Sequence, residues 1–135
     1  LRRMGCGLSR LFGGVTVIRE GPLYGLRADL TDIPDVFPAL AAVAACAGTR
    51  SELLGVGRAR EARDDAVAAM AEGLRALGGN VTEFADGIAI DPAPLHGGVV
   101  DSRGDERVAK AFSVLGLAVP GITVDGADAV ARPTI

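Results

Sequence analysis

The sequence predicts an α/β fold in which mixed sheets enclose buried helices, built on a repeated βαβαββ unit. Three observations carry that prediction. Segments with apolar residues at period two and segments with apolar spacings of three and four succeed one another along the chain. Strand segments come in consecutive pairs as well as singly between helices, which a purely parallel doubly wound sheet does not produce. One helical segment, residues 36–47, is apolar on nearly every face, a pattern that fits a helix covered on all sides.

Taken in order, Leu1-Arg2-Arg3-Met4-Gly5 reads as the end of a helix whose start lies outside the chain. Residues 15–19 read as a strand, with Val15, Val17 and Ile18 around Thr16. Residues 23–30 read as a second, after the Gly21-Pro22 turn. A bend follows at Asp32-Ile33-Pro34-Asp35. The apolar helix 36–47 comes next, with Cys46 as a small buried hydrophobe and Gly48 as its stop. Residues 51–56 form the next strand.

Residues 62–77 read as an amphipathic helix whose buried stripe is Val67, Met70, Leu74 and Leu77. Asp64 and Asp65 lie in its first turn, where the macrodipole favours anions, and Gly78-Gly79 ends it. Strands at 81–84 and 87–90 flank an Ala85-Asp86-Gly87 turn, and 98–101 is a further short strand. Asp105 is the predicted N-cap of a helix reaching about Leu115, with Val108, Ala111, Phe112 and Leu115 facing inward. Residues 122–124 form the last strand.

With 135 residues the chain can bury one modest core. It is 49% hydrophobic but only 4% aromatic, so that core is made of Ala, Val, Leu and Ile. The formal net charge of -3, without a basic stripe, argues against nucleic acid as a partner. The two cysteines form no CxxC, and the single His96 cannot complete a common metal cluster. No metal and no cofactor is therefore expected, and a reduced, cytoplasmic compartment is. The longest apolar stretch, residues 37–47, is too short to span a bilayer, so no membrane partner is expected. GxGxxG and Walker A matches are absent. Arginine supplies nearly all the positive charge, Lys110 being an exception. Arg suits bidentate binding of carboxylate or phosphate, although each one taken singly reads as a solvated surface charge.

Four segments in order resemble the C-terminal domain of the EPSP synthase (3-phosphoshikimate 1-carboxyvinyltransferase) family. The first runs from Asp29 through Ile33-Pro34-Asp35 into Phe37-Pro38-Ala39-Leu40-Ala41. Ala68-Ala69-Met70-Ala71-Glu72-Gly73-Leu74-Arg75-Ala76-Leu77-Gly78-Gly79 resembles the helix after the family's catalytic loop. Pro94-Leu95-His96-Gly97-Gly98, then Asp105-Glu106-Arg107-Val108-Ala109-Lys110-Ala111-Phe112, is similar to the family's Asp-His-Arg-Met-Ala-Met-Ala-Phe. Val119-Pro120-Gly121-Ile122-Thr123-Val124 completes the series, ending at Ala131-Arg132. The resemblance covers nearly the whole chain. It implies a partial enolpyruvyl transferase domain over residues 1–135, roughly the last third of a two-domain protein, with the N-terminal domain missing from this chain.

The resemblance implies transfer of an enolpyruvyl group from phosphoenolpyruvate to shikimate 3-phosphate, with release of phosphate, in aromatic amino acid biosynthesis. Both small-molecule substrates are strongly anionic, so cations must hold them and carboxylates must move protons. Asp35 matches the Asp that contacts the reacting hydroxyl, a base candidate; read without the family, it is a helix cap. Arg107 matches an Arg that binds phosphoenolpyruvate; read alone, it is a surface Arg paired with Asp105 or Glu106. Glu106 replaces the family's His and adds negative charge beside that site. Arg132 stands where the family usually has a Lys contacting phosphoenolpyruvate, or is a surface residue near the chain end.

The main departure lies at residues 60–66, where the family reads Lys-Glu-Ser/Thr-Asp-Arg. Aligned without gaps from the helix side, only Asp65 agrees, and Ala62, Arg63 and Ala66 replace the Lys, Glu and Arg. A two-residue insertion instead sets Arg60 as the substrate-binding cation and Glu61 as the catalytic acid or base. Three readings follow: an EPSP synthase, a non-catalytic relative kept as a binding or scaffold module, or a relative of the UDP-N-acetylglucosamine enolpyruvyl transferases. The isolated chain is expected to be inactive, since one domain cannot enclose both substrates.

Overall fold

The computed structural model describes residues 4–11, 14–19, 21–57 and 65–126. Its elements are β1 (Cys6–Leu11), β2 (Gly14–Arg19), β3 (Arg27–Asp29), a 3-10 turn (Pro34–Val36), α1 (Phe37–Ala45), β4 (Ser51–Leu54) and α2 (Ala66–Ala76). They continue with β5 (Asn80–Phe84), β6 (Gly87–Asp91), β7 (Gly98–Asp101), α3 (Glu106–Leu115) and β8 (Ile122–Asp125). The predicted βαβαββ unit is complete in β3-α1-β4-α2-β5-β6. Its four strands form one mixed sheet in the order β3-β4-β6-β5. β3 and β4 are parallel, whereas β6 runs antiparallel to both β4 and β5.

Two half-units flank it. The antiparallel pair β1-β2 has the pairing of β5-β6, and the parallel pair β7-β8 has that of β3-β4. The correspondence extends to single hydrogen bonds. Tyr24 N donates to Met4 O at 3.0 Å, and seventy-two positions later His96 N donates to Leu77 O at 2.9 Å. Leu30 N reaches Leu54 O at 2.8 Å, as Ser102 N reaches Asp125 O at 2.9 Å. Asp29 Oδ1 accepts from Thr31 N at 2.9 Å, as Asp101 Oδ1 accepts from Arg103 N at 2.8 Å. Such Asx turns end each strand by giving the backbone a side-chain acceptor in place of the ladder. After the partner strand the chain turns at Gly55 (φ 80°) or Gly126 (φ 77°), left-handed positions that tolerate little but glycine.

The helices α1, α2 and α3 supply much of the core among the described residues. Phe37, Phe112, Met70, Leu74, Leu53 and Ile88 are all essentially inaccessible. α2 comes so close to α3 that a Cβ on Gly73 would meet Phe112 Cζ at 2.3 Å. Every buried side-chain polar atom among the described residues has a hydrogen-bond partner.

The structure corrects several sequence expectations. Residues 1–3 of the segment expected to end a helix lie outside the described residues and Met4 is in 3-10 conformation; β1 then follows, a strand the sequence did not announce. Its Cys-Gly-Leu-Ser-Arg-Leu composition has no clear alternation, and its pairing with β2 supplies the order. The strand expected at 23–30 shrinks to Arg27–Asp29. Gly25 lies so near the Arg50 carbonyl that a Cβ would be 2.1 Å from its oxygen, and its N–H goes to Thr49 Oγ1 at 2.7 Å. Leu26 N likewise goes to Ser51 Oγ at 3.2 Å, so side chains replace the ladder there.

The apolar helix is shorter than expected and open on one side: Ala39 is exposed, and Leu40 and Val43 are only partly covered. Cys46 shares that open face and is exposed, not buried. α2 begins at Ala66 and not at 62, because Asp65 is extended (ψ 93°) and caps it, accepting from Ala68 N at 2.9 Å.

Candidate functional site

β3 and β7 both run into a turn and then a helix, so each delivers one candidate residue to a helix start. Asp35 sits in the 3-10 turn ahead of α1, and Arg107 in the first turn of α3. These positions are seventy-two apart, the period of the repeat, and they meet: Arg107 Nη1 donates to Asp35 Oδ1. Both ends carry the positive pole of a helix macrodipole, which favours anions. A cation in the first turn of α3 is disfavoured there unless negative groups surround it. Arg107 has two, the Asp35 carboxylate and Asp105 Oδ1 at 3.7 Å from its Nε.

The cap reading of Asp35 does not hold. The residues capping the 3-10 turn and α1 are Ile33 and Val36, with no side-chain hydrogen bond at either. Asp35 instead points at Arg107, its side chain 81% exposed, so the carboxylate is within reach of a ligand. The cap role belongs to Asp105, whose Oδ1 accepts from Arg107 N at 2.8 Å and Val108 N at 3.3 Å. Its side chain is only 10% exposed and holds the first turn of α3 in place. The expected pairing of Arg107 with Asp105 is present, and that with Asp35 was not foreseen.

Below the Asp35–Arg107 pair, α1 and α3 border a mostly apolar groove of about 460 Å³, lined by Ala39, Val43, Ala111, Val114 and Lys110 among others. Lys110 lies one turn beyond Glu106 and binds it, Nζ to Oε1 at 2.5 Å. That contact lowers the Glu106 pKa from the usual carboxylate value, first by hydrogen bonding and then by the ammonium charge. Sequence reasoning passed over Lys110. The i,i+4 spacing to Glu106 was the available signal.

Arg60, Glu61 and Arg132 lie outside the described residues. Asp65, the position that agrees with the family loop, caps α2, and Ala66 after it is buried at 7% exposure. Among the described residues no group of three or more His, Cys, Asp or Glu side chains could hold a metal ion. Nor is any helix among them long and apolar enough to cross a membrane.

Fold and site define an α/β protein of βαβαββ repeats whose juxtaposed helix starts hold a carboxylate against a guanidinium. Solved structures share this architecture. EPSP synthase from Acinetobacter baumannii superposes with a TM-score of 0.82 at 33% identity, over 97% of this chain and 34% of that one. The enolpyruvyl transferase NikO from Streptomyces tendae superposes at 0.77 with 24% identity, over 97% and 30%, a likeness of fold. The family model for EPSP synthase (3-phosphoshikimate 1-carboxyvinyltransferase) matches residues 1–133, and the chain belongs to that family. Similar relatives bear the same enzyme name. The one from Methanoregula boonei is 44% identical over 130 residues, and that from Methanosphaerula palustris 46% over 125. Those matches take in 96% and 93% of this chain, which spans only 31% and 30% of the relatives' length.

Proposed function

We propose that this chain forms part of an EPSP synthase. The full-length protein would transfer the enolpyruvyl group of phosphoenolpyruvate to a hydroxyl of shikimate 3-phosphate and release phosphate. The observation that carries the reading is the Asp35–Arg107 pair at two adjoining helix starts, on the positions that match the family motifs. Arg107 binds an anionic group of phosphoenolpyruvate. Asp35, released from Arg107 by that group, takes the proton of the attacking hydroxyl as its oxygen bonds to the enolpyruvyl carbon. The π electrons of the C=C bond take a proton onto the methylene carbon; loss of a proton from the methyl group so formed then restores the double bond and expels phosphate with the electrons of its C–O bond. Glu61, in the register that needs an insertion, is the further acid or base; Arg60 and Arg132 are further cations for the substrates. The remaining length of the relatives supplies the N-terminal domain and the rest of the contacts, and the protein works in the cytoplasm.

The test is shikimate 3-phosphate-dependent phosphate release by the full-length protein. Turnover is expected, falling about 10²- to 10⁴-fold in Asp35→Asn as for loss of an acid–base group. The 135-residue chain by itself is expected to show none. A second reading, a non-catalytic family member, is favoured by one observation: the position of the loop's Arg in the gapless register is the buried Ala66. A folded full-length protein that releases no phosphate supports it and sinks the first.

A further inference from the structure

Among the described residues, carboxylates outnumber cations around the start of α3, where the anionic substrates are proposed to bind. Asp35 and Asp105 pair with Arg107, and a third carboxylate, Glu106, precedes it in the first turn of α3 and pairs with Lys110. Asp35 and Asp105 are accounted for, the one as Arg107's exchangeable partner and the other as the cap of α3. Glu106 does neither. It adjoins Arg107 in sequence, in place of a His in the related motif, and its field opposes any anion brought to the guanidinium.

Lys110 answers that charge. It follows Glu106 by one helical turn, contacts it at 2.5 Å, lines the same groove as Asp35 and Arg107, and stands where the related motif has Met. The two departures from the pattern are thus bonded to each other. The corresponding positions ahead of and within α1, Pro34 and Pro38, carry no charge, so the repeat itself does not require the pair.

We propose that Lys110 is a positioning residue for the anion site at Arg107, acting through Glu106: it neutralises Glu106 and so leaves the guanidinium free to exchange Asp35 for a substrate anion. Nothing in this role needs Lys110 to touch the substrate. It rests on the enolpyruvyl-transfer reading above. It also explains how a Glu is tolerated beside an anion-binding Arg: the exchange of His for Glu is paired with one of Met for Lys, and the two changes of charge cancel.

The experiment is a double-mutant cycle in the full-length protein. KM and kcat for phosphoenolpyruvate are read from shikimate 3-phosphate-dependent phosphate release, and binding of phosphoenolpyruvate from titration calorimetry. Lys110→Met is expected to raise KM and the dissociation constant about three- to fivefold, the scale of a partly exposed charge pair, with kcat changed less. Lys110→Arg should stay near wild type. Glu106→Gln in the Lys110→Met background should restore binding to within about twofold, which a purely structural Lys would not allow.

Unchanged binding in Lys110→Met overturns the proposal. So does a double variant as weak as Lys110→Met, since that outcome means a direct substrate contact or a folding role. Both leave the enolpyruvyl-transfer reading intact. A wild-type protein that neither binds phosphoenolpyruvate nor releases phosphate overturns the reading and the proposal together.

Discussion

The segment from β3 to Gly57 and the segment from β7 to Gly126 are two castings of one scaffold with different chemistry at the same points. Each has a parallel strand pair, an Asx turn at the end of the first strand, a helix over the pair, and a left-handed glycine after the second strand. They differ where the helix starts. The first presents an exposed carboxylate at Asp35, the second a guanidinium at Arg107, and the two pair across the repeat. Backbone groups that must be satisfied in both copies constrain the scaffold and keep it alike. The side chains of Asp35 and Arg107 carry no such duty, the cap of α3 being Asp105. One copy can then hold a base and the other a cation without disturbing either.

Breaking the cores of the two copies should give the largest effect on stability. Phe112 of α3 is fully buried against Gly73, whereas Leu40, its counterpart in α1, is partly covered at the edge of the open face. Phe112→Ala is expected to cost about 3–5 kcal/mol in urea unfolding, and Leu40→Ala about 2 kcal/mol or less. Equal losses would mean that the face of α1 left open by the described residues is closed in solution.

The two left-handed glycines give the next effect. A Cβ on Gly55 would lie 2.2 Å from Asp29 Oδ1 and 2.5 Å from Thr31 Oγ1, while one on Gly126 would stop 2.9 Å from Ser102 Oγ. Both alanine variants pay for positive φ, about 1 kcal/mol or more. Only Gly55→Ala must also break the Asx turn, so thermal unfolding should show it as the less stable by about a further 1 kcal/mol.

The smallest effect is in the pH dependence. Hydrogen bonds from the Thr31 hydroxyl and then from its N–H lower the Asp29 carboxyl below its usual value. A lowered folded pKa contributes stability that is present above the unfolded value and lost as pH falls through the folded one. Wild type should therefore lose stability on acidification below the ordinary carboxylate range more steeply than Asp29→Asn. Chemical unfolding midpoints at a series of acid pH values measure this. Parallel curves would mean that the Thr31 contacts give Asp29 no net advantage when charged. Thr31→Ala should shift the curve the same way, because it removes the hydroxyl and leaves the N–H bond.

Much of this was legible beforehand. The amphipathic stripe Val67, Met70, Leu74 and Leu77, the buried face of α3 and the cap at Asp105 follow from period and polarity, which local geometry enforces. The family motifs singled out Asp35 and Arg107. What could not be read was anything set by a neighbour distant in sequence. β1 owes its order to β2, the short β3 to the carbonyls of Thr49 and Arg50 pressing on Gly25, and the exposure of Cys46 to where α3 leaves α1 uncovered.

The sequence by itself determined the kinds of element and their order from β2 onward, and the family, because hydrophobic period, caps and motifs are local properties of the chain. Tertiary structure decided that a carboxylate and a guanidinium seventy-two residues apart share one site, and that Lys110 cancels Glu106 beside them. Charges act through space. Which charges are close is settled by how the helices pack, and packing sums small contributions from residues spread along the chain.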